Sequence, residues 1–366
     1  MSTRPDTDDY ARLLTQDIPM VDLRAPIEFM KGAFPTATNL PLMTDDERAK
    51  VGTCYKREGP QAAIRLGHQL VRGTTREERL NAWLAFARQH PEGYIYCFRG
   101  GLRSRTVQQW MREAGVDYPL VKGGYKALRR FCIDDFEARV PRTPLWVVAG
   151  PTGSGKTRVI QGARHAIDLE GLARHKGSSF GRTFEPQPPQ ITFENALAID
   201  LMKLGDALPH PVLVEDESRL IGRCALPLNL RDKMAASPVI RVEEPFESRV
   251  ELILEEYVRE PLHWLQAHHA DTRLIWDTLS ERLLDSLDRI RKRLGGERHQ
   301  RLRAIMQAAL AAHREHDDLD GHREWIRGLL RDYYDPMYAW QMENKPREVV
   351  FQGSRAAIAE WLSHRN

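Results

Sequence analysis

A chain of 366 residues, 42% hydrophobic and 29% charged, has a globular composition with room for two domains, and none of its apolar runs is long enough to span a bilayer. The formal net charge of +3 is too small to name a partner, and the four cysteines lack the CxxC spacing of a zinc site or a disulfide framework. The opening MSTRPDTDDYARLL is polar and acidic rather than basic-then-apolar, so no secretory leader is expected and the location is read as cytoplasmic.

Between residues 10 and 137 short apolar runs alternate with helical patterns. Residues 18–24 and 94–98 read as strands, REERLNAWLAFARQH and SRTVQQWMREAG as helices, the second starting near Ser104. That alternation predicts βα units around a parallel sheet. The proline-bounded link RVPRTP leads to a second α/β block, residues 144–240, opening on an apolar strand. Further strands are expected in HAIDLE and HPVLVEDES, and EPQPPQ reads as a loop. Residues 241–366 read as mostly amphipathic helix, rich in Glu and Arg, and no internal repeat is present.

GPTGSGKT (residues 150–157) fits G-x-x-x-x-G-K-[ST], with a strand before it and a helix after it. Gly150, Gly153 and Gly155 let the backbone turn its N–H groups, with that of Ser154, toward phosphate oxygens at a helix N-terminus. Lys156 adds a mobile positive charge, and the Thr157 hydroxyl suits Mg²⁺. An acidic partner is expected where PVLVEDES ends in Glu215, Asp216 and Glu217; Asp216 is taken as the phosphate- and metal-facing candidate, with its neighbours as alternatives. The motif reads phosphates and does not separate a nucleoside triphosphate from another diphosphate.

In YIYCFRGGLRSRT, Cys97 closes a strand before a loop containing Gly100 and Gly101. Loop amides, the following helix N-terminus, Arg99 and Arg103 would all favour a thiolate, and then a chalcogen anion carried on it. The plain alternative is a small buried hydrophobe. MVDLRAPIEFMKGAFPTATNLPL and VKGGYKAL settle the choice toward chemistry, because they resemble the opening and closing segments of rhodanese domains. Asp22 and Arg24 are read as an ion pair that supports the loop.

A rhodanese-like domain followed by a phosphate-loop domain resembles the tRNA 2-selenouridine synthase family. The likeness runs through GTCYKREGPQAAIRLGHQLV, YCFRGGLRS, GPTGSGKT, DLEGLARHKGSSFG and YYDPMYAWQ. Phe98 stands where tryptophan is more usual, and an aromatic ring is kept. The resemblance implies selenophosphate and geranyl diphosphate as co-substrates and tRNA carrying wobble 2-thiouridine as partner. It also implies S-geranyl-2-thiouridine as intermediate on the way to 2-selenouridine. Cys97 would accept selenium while Arg99 and Arg103 hold the anionic donor. Residues 150–157 would hold the diphosphate.

For the RNA, the basic run RIRKRLGGERHQRLR and the segment RHKGSSFGRT are candidates, each balanced by the reading of a solvated surface. Tyr333, Tyr334, Tyr338 and Trp340 are read as helix packing rather than a stacking platform. Two rivals remain open: a sulfurtransferase fused to a phosphate-loop kinase acting on a small molecule, and a non-catalytic redox sensor.

Overall fold

The computed structural model describes residues 4–205, 210–344 and 347–365. Ten strands lie in the order β1 (Met20–Asp22), β2 (Ala37–Asn39), β3 (Tyr94–Tyr96), β4 (Leu145–Ala149), β5 (Ala166–Ile167), β6 (Val212–Glu215), β7 (Leu220–Ile221), β8 (Cys224–Ala225), β9 (Val239–Val242) and β10 (Val349–Gly353). The chain divides into two units, Met1–Pro141 with Pro188–Asp206, and Arg142–Gln187 with Ala207–Asn366.

The first unit carries a parallel sheet in the order β2-β1-β3. Single parallel bridges, Ile95 with Leu120 and Thr7 with Val121, continue it beyond β3. Every residue of β1 and β3 is buried, as expected for strands covered by helices on both faces. The core gathers Val21, Leu23, Trp83, Ile95, Val107 and Met111. At the centre Arg24 lies with Asp22, its Nη2 2.6 Å from Oδ2, while the same nitrogen donates to Gly32 O at 2.7 Å. The guanidinium sits 3.6 Å above the Tyr125 ring, so this buried charge is answered on every side.

A helical hairpin, Asp45–Glu58 and Pro60–Leu70, follows β2. Thr44 and Glu47 form a capping box at its start, and Gly59, at φ +84, separates the helices with Pro60 opening the second. The helix Gln190–Lys203 belongs to this unit although the sequence places it beyond the phosphate loop. Asn195 Nδ2 donates to Ala33 O at 2.9 Å, and Arg129 pairs with Glu194. A Cβ on Gly32 would stand 2.5 Å from Ile191 Cγ2, so that contact needs a glycine.

The second unit is built on a five-stranded sheet, β10-β9-β4-β6-β5, parallel throughout. β7 and β8 form a separate antiparallel pair. β4 coincides with the apolar strand read from the sequence. β5 is shorter than HAIDLE suggests, because the Asp168 side chain accepts from Gly171 N at 2.6 Å and starts a helix. Beyond Arg241 the chain is mostly helical, with one strand the sequence pattern did not reveal. β10 takes the sheet edge beside β9, and Trp361 stacks on its Phe351 at 4.7 Å. Two π-helical turns, Glu255–Arg259 and Leu330–Tyr334, interrupt the C-terminal helices.

Asp22→Asn leaves Arg24 buried without its counter-charge and is expected to cost about 3–5 kcal/mol. Hydrogen exchange followed by mass spectrometry checks it: amides of β1 and β3 should lose protection while those of β4 and β6 keep theirs.

Candidate functional site

Cys97 directly follows β3, is 3% exposed, and packs with Val21, Leu23, Ile95 and Val107. Its loop is closed by the segment that contains Gly123 and Gly124. Tyr125 N donates to Cys97 O and Lys126 N to Phe98 O, both at 2.9 Å. A Cβ on Gly124, at φ +59, would fall 2.2 Å from Cys97 O, so only glycine permits this closure. From Phe98 through Ser104 no backbone N–H has a hydrogen-bond acceptor among the described residues. Seven successive free amides, the last three opening the helix Leu102–Glu113, form an anion-seeking surface.

The structure separates the two arginines. Arg103 Nη1 donates to Glu28 Oε2 at 2.8 Å, and Arg48 Nε lies 3.0 Å from the same oxygen. Burial pushes the Glu28 carboxyl up, but hydrogen bonds and charge from Arg103 outweigh it and hold Glu28 below the usual carboxylate range. Arg99 is exposed, its guanidinium 5.8 Å from the Phe98 ring centroid, with no carboxylate partner among the described residues. Arg103, Phe98 and Leu102 border a cavity of 1010 Å³ roofed by the helical hairpin.

In the second unit β4 runs into residues 150–155 and the helix Lys156–Gly162. Gly153 and Gly155 hold φ of +78 and +79, and a Cβ on Gly150 would stand 2.7 Å from Ser154 Oγ. Ser154 is buried, and its hydroxyl has no partner among the described residues. The amides of Thr152, Gly153, Gly155, Lys156 and Thr157 likewise find no acceptor there. Lys156 Nζ folds back on Gly150 O at 3.0 Å. Buried Arg249 braces the loop from outside, donating from Nε to Thr152 O at 2.9 Å and pairing with Asp335.

Thr157 meets a carboxylate that the motif does not contain: its hydroxyl donates to Glu170 Oε2 at 2.7 Å. Glu170 in turn hydrogen-bonds Glu217, and both carboxyls are raised, first by burial and, for Glu217, next by Glu170's charge. They converge on Gly177, where a Cβ would lie 2.5 Å from Glu217 Oε1 and 2.7 Å from Glu170 Oε1. Asp216 is placed otherwise, its Oδ2 2.6 Å from Arg347 Nη2. Glu215 is fully buried, accepts from Leu169 N at 2.9 Å, and leaves Oε1 unpartnered among the described residues. Burial, then the charge of Asp168, pushes its carboxyl up to about 9. No group of three His, Cys, Asp or Glu among the described residues is arranged to hold a metal.

The serines of RHKGSSFGRT are anchored by the two π-turns: Ser178 Oγ lies 2.8 Å from Tyr257 Oη and Ser179 Oγ 3.0 Å from Tyr334 Oη. Beside them Arg182, Arg282 and Arg289 form a knot of like charge with no ion pair to a carboxylate among the described residues. Burial, then Arg182 and Arg289, lowers Arg282 to about 10. Its guanidinium covers Phe184 at 4.7 Å, and Phe184 stacks on Trp264. A cavity of 410 Å³ brings Arg182 and Arg282 to Thr157, Glu170 and Lys176. Of the basic run, Arg301 and Arg303 are spent on Asp332 and Asp288, while Arg291, Lys292 and Arg293 stay exposed. Tyr334 is buried as packing, whereas Trp340 is 63% exposed.

Glu170, the arginine knot and the hairpin cavity were not read from the sequence. The signal for Glu170 was present: an acid just after a short strand, thirteen positions past Thr157, leading into GSSFG.

These features define a mixed α/β protein of two parallel-sheet units, each ending a strand in a loop of unanswered amides. Residues 143–366 match the family described as tRNA 2-selenouridine synthase AAA domain. The tRNA 2-selenouridine synthase of Marinobacter nauticus is 51% identical over 100% of this chain and 99% of its own. That of Alcanivorax borkumensis is 53% identical over 99% and 100%, and that of Pseudomonas fluorescens 53% over 98% of each. The chain belongs to the tRNA 2-selenouridine synthase family, a family of enzymes.

Because the Glu215 carboxyl holds its proton up to about 9 when folded, against 4.5 for the free group, folding takes up a proton between those values. Its stabilisation is present below the lower value and lost as pH rises through the upper one. Scanning calorimetry at pH 5, 7 and 9 should therefore show a Tm that falls with pH, and Glu215→Gln should flatten the fall.

Proposed function

We propose that the chain converts wobble 2-thiouridine of tRNA to 2-selenouridine in two stages, the first unit rhodanese-like and the second a diphosphate-binding phosphate-loop domain. The observation that carries this reading is the run of free amides from Phe98 to Ser104 beside Cys97, in a chain of this family. Such a run suits a terminal chalcogen anion better than a packed thiol.

In the first stage geranyl diphosphate alkylates the 2-thio sulfur. The sulfur–carbon bond forms as the carbon–oxygen bond of the ester breaks; diphosphate leaves with the bonding pair, and the uridine N3 proton goes to solvent. The free amides of Thr152, Gly153, Gly155, Lys156 and Thr157, with the Lys156 ammonium, receive that growing charge. Lys156 has to leave Gly150 O to do so. A divalent cation fits here, because Thr157, Glu170 and Glu217 converge and both carboxyls are raised by burial, Glu217 also by the charge of Glu170. Those groups would hold Mg²⁺, which would supply further neutralisation of diphosphate.

In the second stage selenophosphate is held at the Cys97 loop, where the free amides face its anionic groups. Alkylation has made C2 of the uridine an isothiourea-type electrophile. Attack by the donor's selenium forms the carbon–selenium bond and expels geranylthiolate with its pair. The Cys97 sulfur then takes the phosphoryl group: the sulfur–phosphorus bond forms, the phosphorus–selenium pair passes to selenium to leave the selenocarbonyl, and water releases orthophosphate from the sulfur. Arg99, free of a carboxylate partner, is the cation available to the incoming donor, while Arg103 acts through Glu28 in shaping the loop.

The RNA is assigned to the arginine knot. Arg182 and Arg282, neither in an ion pair with a carboxylate among the described residues, call for phosphate, and the cavity they line also holds Thr157.

The experiment that tests the reading is nucleoside mass spectrometry of tRNA from cells carrying Cys97→Ser. Selenouridine should vanish and S-geranyl-2-thiouridine should accumulate; persistence of selenouridine sinks the proposal. Independently, Arg282→Ala should weaken tRNA binding across sequences. The slope of log K against log salt should drop by about 1. Filter binding over a salt series measures it.

A further inference from the structure

The hairpin of Asp45–Glu58 and Pro60–Leu70 leaves its apolar side unused. Its first helix buries no residue and its second buries only Ala63. Val51 and Ile64 face the 1010 Å³ cavity instead of a core, and the far wall is Trp110 with Phe98 and Leu102 of the cysteine loop. Two apolar walls held apart across water are unfavourable until something apolar fills the space. The volume stands at the upper end of small-ligand sites, about 300–1,000 Å³. The rim adds a second specification: Lys31 and Lys56 border the cavity, both exposed and neither in an ion pair with a described residue. An apolar interior with a cationic mouth selects an apolar chain attached to an anionic head. A bare nucleobase does not match it, since its polar edges would face Val51, Ile64 and Trp110.

We infer that this cavity holds the linear isoprenyl chain and so fixes the carbon bearing it against the Cys97 loop. The inference rests on the two-stage reading above, in which the chain is carried first on diphosphate and then on the uridine sulfur. It explains why selenium would meet an alkylated sulfur at this loop. The chain is the handle that positions C2, and the leaving geranylthiolate keeps an apolar seat as the carbon–sulfur bond breaks. Val51 and Ile64 are positioning residues in this account.

The test titrates anticodon stem-loop RNAs carrying S-geranyl- or S-methyl-2-thiouridine onto the full chain, with geranyl diphosphate as a third ligand, followed by fluorescence anisotropy or calorimetry. The wild type should prefer the S-geranyl RNA by about tenfold or more, given the apolar carbons added. Val51→Glu and Ile64→Glu, one on each helix and each checked by thermal unfolding, should bring that ratio near one. Loss for the S-geranyl RNA identifies the RNA-borne chain as occupant; loss for geranyl diphosphate alone identifies the free ester, and either supports the cavity as the chain's site. Unchanged binding of both ligands in two folded variants overturns the inference. Mass spectrometry of the same RNA with selenophosphate keeps the outcomes apart. Conversion by a wild type whose preference survives both variants sinks the cavity alone; no conversion and no preference sinks the two-stage reading and the inference with it.

Discussion

A backbone N–H turned away from every carbonyl is the constraint from which both units take their shape. An unpaired amide shielded from water costs about 1–3 kcal/mol, so a fold tolerates a row of them only where something else holds the chain in place. In the first unit that something is a set of close approaches. Gly124 lies against Cys97 O, Tyr125 and Lys126 are tied to the loop carbonyls, and the ring of Tyr125 covers the buried Asp22–Arg24 pair. In the second unit Arg249 grips Thr152 O and the sheet supplies the strand beneath. The amides remain open because their carbonyl partners have been drawn to other donors.

Charge in the second unit is arranged by the same logic at larger scale. Glu170, Glu215 and Glu217 are crowded together and keep protons that isolated carboxyls would release. Arg182, Arg282 and Arg289 are crowded with no ion pair to a carboxylate among the described residues, and they repel one another. Pairing acids with bases across such a short distance would have been the stabilising solution. Keeping them apart leaves a carboxylate cluster suited to a cation and a guanidinium knot suited to phosphate. Glu170 of the one and Arg182 and Arg282 of the other line a cavity that also reaches Thr157.

How much of this could be read in advance depended on whether the signal was local. β4, its glycine turn and the helix from Lys156 lie within a few residues of each other, so motif and structure coincide. The helices Thr74–Gln89 and Leu102–Glu113 were legible from periodicity, and the Asp22–Arg24 pair from the rhodanese-like segment that carries it. What escaped is non-local. β10 is a five-residue strand whose partner lies about a hundred positions earlier, and only the sheet edge makes it a strand. Glu170 reaches Thr157 because Asp168 ends β5 and turns a helix there. Helix Gln190–Lys203 joins the first unit through Ile191, Thr192 and Asn195, residues that carry no mark of their destination. Asp216 was the central acid of EDE, but in the loop just past β6 its carboxylate meets Arg347 while Glu217 turns to Glu170.

The cavity makes the least local case, and it bears on why the cysteine can be so buried. A sulfur 3% exposed would be hard for a hydrated ligand to reach if its only access were from bulk water. The loop that carries it, however, contributes Phe98 and Leu102 to a space walled by a hairpin that buries almost nothing of its own. The first of these helices is tied to the unit by Arg48 to Glu28 and by Glu47 to Arg79, polar contacts rather than packed core. In the two-stage route proposed above, the apolar wall would keep water from the selenium donor, and a substrate bringing its own apolar chain would displace what water is there. The Cys97 sulfur is closed to solvent, while the loop that follows it opens on the cavity through Phe98 and Leu102.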